Sequence, residues 1–252
     1  MIRLDGATVL LQWATGGLAF LWVTTRRGEV GIGYGWLLRT IYVLLGIAAI
    51  VAGAFIGFVA VREVFAGLLV AAALAALVVS IVRRREGAAR FPAWLDLIAP
   101  CLGVVGLVAA GIDAGDPVAL SIARTLVGAA FLGVVSDAML LGHWYLVQPG
   151  LSRAPLNELV RWVGYVWPAE LAVMLWPTGM VSALRGTVDD GANGLLSWFW
   201  VACAITTIAL VVVTRAALKE KAYSAVMAAT GLLYLAILTA FGMDLVARAI
   251  LA

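Results

Sequence analysis

Long apolar runs separated by short polar joints make up almost the whole of this chain. The runs fall at roughly 7–25, 36–61, 64–82, 94–112, 117–147, 157–183, 194–214 and 222–248. The joints are Arg26–Gly35, Arg62-Glu63, Arg83–Pro92, Asp113–Pro117, Gln148–Pro155, Arg185–Asn193 and Arg215–Lys221. A hydrocarbon core about 30 Å thick is crossed by a helix of about 20 apolar residues. The pattern therefore predicts an all-α, polytopic integral membrane protein of about eight transmembrane helices. At Arg62-Glu63 the joint is so short that the second and third helices form a tight hairpin.

Composition adds that nothing is left over for a soluble domain. Of 252 residues, 64% are hydrophobic and 12% are charged, against about 45–50% and about 25% in ordinary soluble domains. Lipid must cover the surplus apolar surface, and residues 1–252 read as one transmembrane domain. The first run has one basic residue before it, Arg3, and two after it, Arg26 and Arg27. A secretory signal has the opposite charge order, so the first helix is expected to be retained.

Charge fixes an expected orientation. Arg26, Arg27, Arg39, Arg83, Arg84, Arg85, Arg90, Arg153, Arg161, Arg215, Lys219 and Lys221, twelve in all, fall on alternate joints. Only four, Arg3, Arg62, Arg185 and Arg248, fall on the others. Basic loops stay in the cytoplasm, which puts both termini on the non-cytoplasmic side of a cell (plasma) membrane. The same loops account for the net charge of +3, so no nucleic acid partner is expected. The expected partners are the lipid bilayer and, because the loops are too short to work alone, other membrane or peripheral protein subunits.

Short strings suggest tandem halves, 1–116 and 117–252, each of four helices and parallel in the membrane. Ala76–Arg83 matches Ala209–Arg215, Ala109–Asp113 matches Ala240–Asp244, and Arg39 with Tyr42 matches Arg161 with Tyr165. This layout resembles the quinone-binding membrane subunits of the polysulfide-reductase type. The resemblance lies in length and helix count and implies quinone contact and anchoring; no sequence motif carries it.

Candidate chemistry rests on ionisable residues inside apolar runs, which cost several kcal/mol in lipid and so face the bundle or a wet cavity. Arg124 lies roughly 10 Å below the outer surface and Glu170 roughly 12 Å below it, at 1.5 Å rise per residue, which predicts an ion pair between them. Two prolines, Pro168 and Pro177, bracket Glu170, and a broken helix with a mid-membrane acid suits a transporter. Asp244 is expected at headgroup level beside Arg248. The segment from Asp137 through His143, Trp144 and Tyr145 holds the single histidine and suits either an interfacial belt or a pocket for a quinone headgroup. Asp137 and Trp144 share a helix face, and His143 lies on another. A single haem b is disfavoured, since Met139 shares the histidine's face and cannot be its opposite axial ligand. Cys101 and Cys203 read as small buried hydrophobes.

The chain lacks a phosphate loop, an HExxH, a nucleophile elbow and a CxxCH, so no enzyme class is assigned. The leading expectation is a quinone-interacting or anchoring subunit of an electron-transport complex. The rivals are a secondary transporter or channel with an intramembrane acidic site, and a structural or assembly membrane protein.

Overall fold

The computed structural model describes residues 4–86 and 91–252. Arg3 and Arg90, both used in the charge tally, lie outside the described residues. Within them the chain is all helix and turn: α1 (Gly6–Thr25), α2 (Ile32–Ile56), α3 (Ala60–Arg85), α4 (Ile98–Asp113, preceded by a 3-10 turn at Ala93–Leu97), α5 (Val118–Trp144), α6 (Ala154–Leu175), a short α7 (Gly179–Leu184), α8 (Leu195–Ala217) and α9 (Tyr223–Leu251). This is an all-α polytopic membrane protein. Seven helices are long and apolar enough to cross a bilayer. The eighth long helix, α6, carries Glu158, Arg161 and Glu170 and is too polar by that measure.

The arginine-rich joints gather at one end of the bundle. There Arg26 and Arg27, after α1, pair with Glu158 at the start of α6. At the opposite end Arg124, near the start of α5, reaches carbonyls at the end of α6. These contacts carry α6 from one end of the bundle to the other.

Local chemistry sets the helix ends. Asp5 caps α1 by accepting from the Ala7 amide and the Thr8 hydroxyl, the usual answer to the orphan amides of a first turn. Between α2 and α3 the break falls at Gly57–Val59 rather than at Arg62-Glu63. Arg62 lies inside the first turn of α3 and folds back onto Asp5, Thr8 and the Gly57 carbonyl. An arginine satisfied in this way has no need of a loop. Pro177 ends α6, and after its break the chain makes one short helix before α8.

The helices pack as two rings. α1 to α4 are neighbours in order, with α4 returning against α1; α5, α6, α8 and α9 do the same, with α9 returning against α5. The rings meet where α1 crosses α5. Gly16 and Gly133 make the crossing: a Cβ on Gly16 would lie 1.7 Å from the Ala129 carbonyl oxygen. Such close approach is how small residues drive helix packing in lipid. Buried between neighbours, α1 is the least apolar of the seven spans and the most enclosed, at 72% of its apolar stretch against 33% for α3, the most apolar. The matched pairs Arg39 with Tyr42 and Arg161 with Tyr165 occupy different settings. Arg39 and Tyr42 are buried, whereas Arg161 is exposed and Tyr165 faces outward. Cys203 is buried and Cys101 is exposed; the expectation of two buried thiols is corrected because Cys101 falls on the outward face of α4.

Candidate functional site

The buried polar groups lie on either side of the α1–α5 crossing. Toward the end opposite the arginine-rich loops, Gln12 on α1 donates to the Thr125 carbonyl of α5 at 2.6 Å. Gly128, one turn along α5, leaves room for what lies beyond: a Cβ there would meet Gln12, Asp244 and Arg248. Asp244 and Arg248 on α9 are 0% and 1% exposed and form an i, i+4 ion pair at 2.7 Å. The pairing expected from the sequence is present, but it lies inside the protein rather than at headgroup level. Helix α9 continues to Leu251 and keeps both residues in the ring.

Glu170 belongs to the same cluster. It is fully buried, and neither carboxylate oxygen accepts a hydrogen bond. Its charged neighbours are Asp244, Arg248 and Arg124, with Asp244 the nearest in effect. The expected direct Arg124–Glu170 ion pair does not form. Arg124 instead donates from Nε to the Val173 carbonyl at 2.8 Å and from Nη2 to the Trp176 carbonyl at 3.1 Å. The break at Pro177 explains this. A helix end leaves its last four carbonyls without partners, and the guanidinium satisfies two of them. Glu170, seven residues before Pro177, is left among Asp244, Arg248 and Arg124 without a hydrogen bond.

On the other side of the crossing Asp137 on α5 is fully buried. The Tyr42 hydroxyl donates to its Oδ1, while its Oδ2 has no partner. The Tyr34 hydroxyl donates to the Asp137 carbonyl at 3.4 Å, and the Tyr34 ring lies 5.8 Å from that of Trp144. Gly17 makes the space for Tyr42, since a Cβ there would overlap its ring. Next to Asp137, Ser136 accepts from Trp13 Nε1 at 2.8 Å.

The other members of the Asp137–Tyr145 segment go to different places. His143 is exposed, with the Tyr234 ring edge-on to it and ring centres 6.4 Å apart. Trp144 donates to Gln148, whose Oε1 also receives the Gly31 amide. Tyr145 is buried, donates to the Ser152 carbonyl and accepts Tyr223 on its own carbonyl. Burial pushes its hydroxyl above the ordinary tyrosine range. Asp137 and Trp144 are therefore linked through Tyr34, and His143 stands apart from both.

An unpaired carboxylate oxygen in a dry interior is costly. Sequence reasoning missed Tyr34, Tyr42 and Gln12. The available signal was a polar atom in the middle of an apolar run, as with Gln12, but tyrosine is common enough in membrane helices to give none. Compared with known proteins, the chain matches no family model, no curated protein and no solved structure.

Proposed function

We propose that this chain is a secondary transporter or channel whose coupling ion is the proton, with Glu170 and Asp137 as proton-carrying groups. The observation that carries the reading is Glu170: fully buried on a proline-containing helix, accepting no hydrogen bond, and facing Asp244. A proton on one of the two carboxyls supplies the missing donor, and its loss or gain changes the charge of the cluster by one. Arg248 holds Asp244 in place, and Arg124 holds the broken end of α6 against α5. Asp137, with Tyr42 donating to it, is the corresponding group toward the arginine-rich end.

The basic bias of the loops supports placing the arginine-rich end in the cytoplasm, with both termini on the non-cytoplasmic side of a cell (plasma) membrane. A quinone-binding subunit draws less support, because it needs His143 and Asp137 at one pocket and their side chains face different neighbours.

Infrared spectroscopy of the reconstituted protein tests this directly. A protonated-carboxyl band should be present near neutral pH, shift on transfer to heavy water, and shrink in Glu170→Gln. Absence of an exchangeable carboxyl band, or an unchanged band in Glu170→Gln, overturns the reading.

A further inference from the structure

A cavity of about 390 Å³ lies away from the carboxyls, at the arginine-rich end. That is within the range of small-ligand sites, about 300–1,000 Å³. Four guanidiniums line it, from Arg26, Arg27, Arg39 and Arg84. Two carboxylates offset them: Glu158 pairs with Arg26 and Arg27, and Asp96 pairs with Arg39. Glu29, between the lining residues Gly28 and Val30, is exposed, so the guanidiniums still outnumber the carboxylates.

Two further observations point the same way. Arg39 is 2% exposed, with Nε and Nη2 both given to Asp96 at 2.8 Å, and its Nη1 has no hydrogen-bond partner. That nitrogen faces Gly35, which lines the cavity: a Cβ on Gly35 would lie 2.8 Å from it. The N-terminus of α2 also opens here, through Gly31, Ile32 and Gly35; Gln148 takes the Gly31 amide, and the N-cap residue offers no side chain to the first turn. With the Gly31 and Tyr34 amides engaged, the Ile32 and Gly33 amides and the dipole of a 25-residue helix favour an anion at that position. Asp96 and the Phe91 ring, 4.5 Å from the guanidinium carbon, fix Arg39 in place without using its third nitrogen.

We propose that this cavity binds a phosphate-bearing dianion, held by Arg39 Nη1, the start of α2 and the exposed side chain of Arg84. The chemistry is shared by a phospholipid headgroup and a free phosphorylated solute. The site is independent of the carboxyl cluster, so it stands or falls separately from proton coupling.

The test uses the full chain in neutral detergent, with inorganic pyrophosphate titrated by calorimetry. In parallel, the chain in nanodiscs of phosphatidylcholine with or without phosphatidic acid is assayed for lipid retention by native mass spectrometry. Arg84→Ala removes an exposed arginine with no ion-pair partner among the described residues, so folding should be intact. It should weaken binding about tenfold, the equivalent of one lost contact worth about 1.4 kcal/mol. Gly35→Ala should do the same by pressing on Nη1, whereas Gly67→Ala, with open space around it, should leave binding unchanged. Pyrophosphate binding lost in both variants identifies a solute site. Selective retention of phosphatidic acid, lost in both variants, identifies a headgroup site. Binding of neither probe, or binding equal in wild type, Arg84→Ala and Gly35→Ala, overturns the proposal.

Discussion

Adding one methyl group to Gly16 tests whether the α1–α5 crossing holds the two rings together. The new Cβ would lie 1.7 Å from the Ala129 carbonyl oxygen and 3.2 Å from the Gly133 Cα. Both atoms are backbone, so no side chain can swing aside. Restoring ordinary contact at 3.4 Å requires the helices to part by roughly 1.7 Å, a large step for axes that pack about 8–10 Å apart. Overpacking of this kind typically costs about 1–3 kcal/mol. The same movement stretches the Gln12–Thr125 bond at 2.6 Å and the Trp13–Ser136 bond at 2.8 Å, each worth about 1 kcal/mol. The expected loss is therefore about 3–5 kcal/mol. Gly231→Ala on α9 is the control: nothing lies within 4 Å of its added Cβ, and helix propensity alone should stabilise it by about 0.5–1 kcal/mol. Unfolding in mixed micelles followed by tryptophan fluorescence measures both. Equal stability of the two variants would refute the reasoning.

Three further outcomes are expected. Arg39→Leu or Asp96→Leu alone should cost about 3–5 kcal/mol by stranding a buried charge, and the double change should recover most of it; a double-mutant cycle on micelle unfolding shows which. Arg124→Met leaves the Val173 and Trp176 carbonyls unpaired at about 1–3 kcal/mol, so hydrogen exchange should quicken at the end of α6 and not at its start. Asp190 has its carboxyl held down at about 2 by the Ser197, Gly194 and Ala192 amides. Its contribution at the start of α8 should be complete above the ordinary aspartate value of 3.8 and fade as pH falls through about 2, and Asp190→Ala should remove that dependence from an acid-unfolding curve.

The architecture was legible because lipid imposes one rule over 20 residues at a time, and runs of Leu, Val and Ala obey it without reference to tertiary contacts. Boundaries were less so. Arg62 and Glu63 read as a joint because charge normally marks one, yet Arg62 finds Asp5 and Thr8 on α1 and stays in the helix. The candidate residues divide in the same way. Glu170 and Asp137 were visible as acids in apolar runs. The partners of each were not, because partnership depends on which helix stands opposite. Arg124 was matched to Glu170 by depth alone, and the broken end of α6 offered it carbonyls instead. Tyr42 reaches Asp137 only because Gly17 leaves a gap, a fact that no spacing along the chain encodes.

The enclosed position of α1 bears on how the protein is made. It leaves the ribosome before α5, yet the face carrying Gln12, Trp13 and Gly16 is completed only by α5, more than a hundred residues later. Until α5 arrives, Gln12 has only lipid or water to face, and a ring of α1 to α4 on its own keeps a bare seam. Insertion can proceed from the N-terminus, but consolidation must wait for the second ring. A chain stalled between α4 and α5 should therefore be recognised by membrane quality control through α1 rather than through the unfinished end.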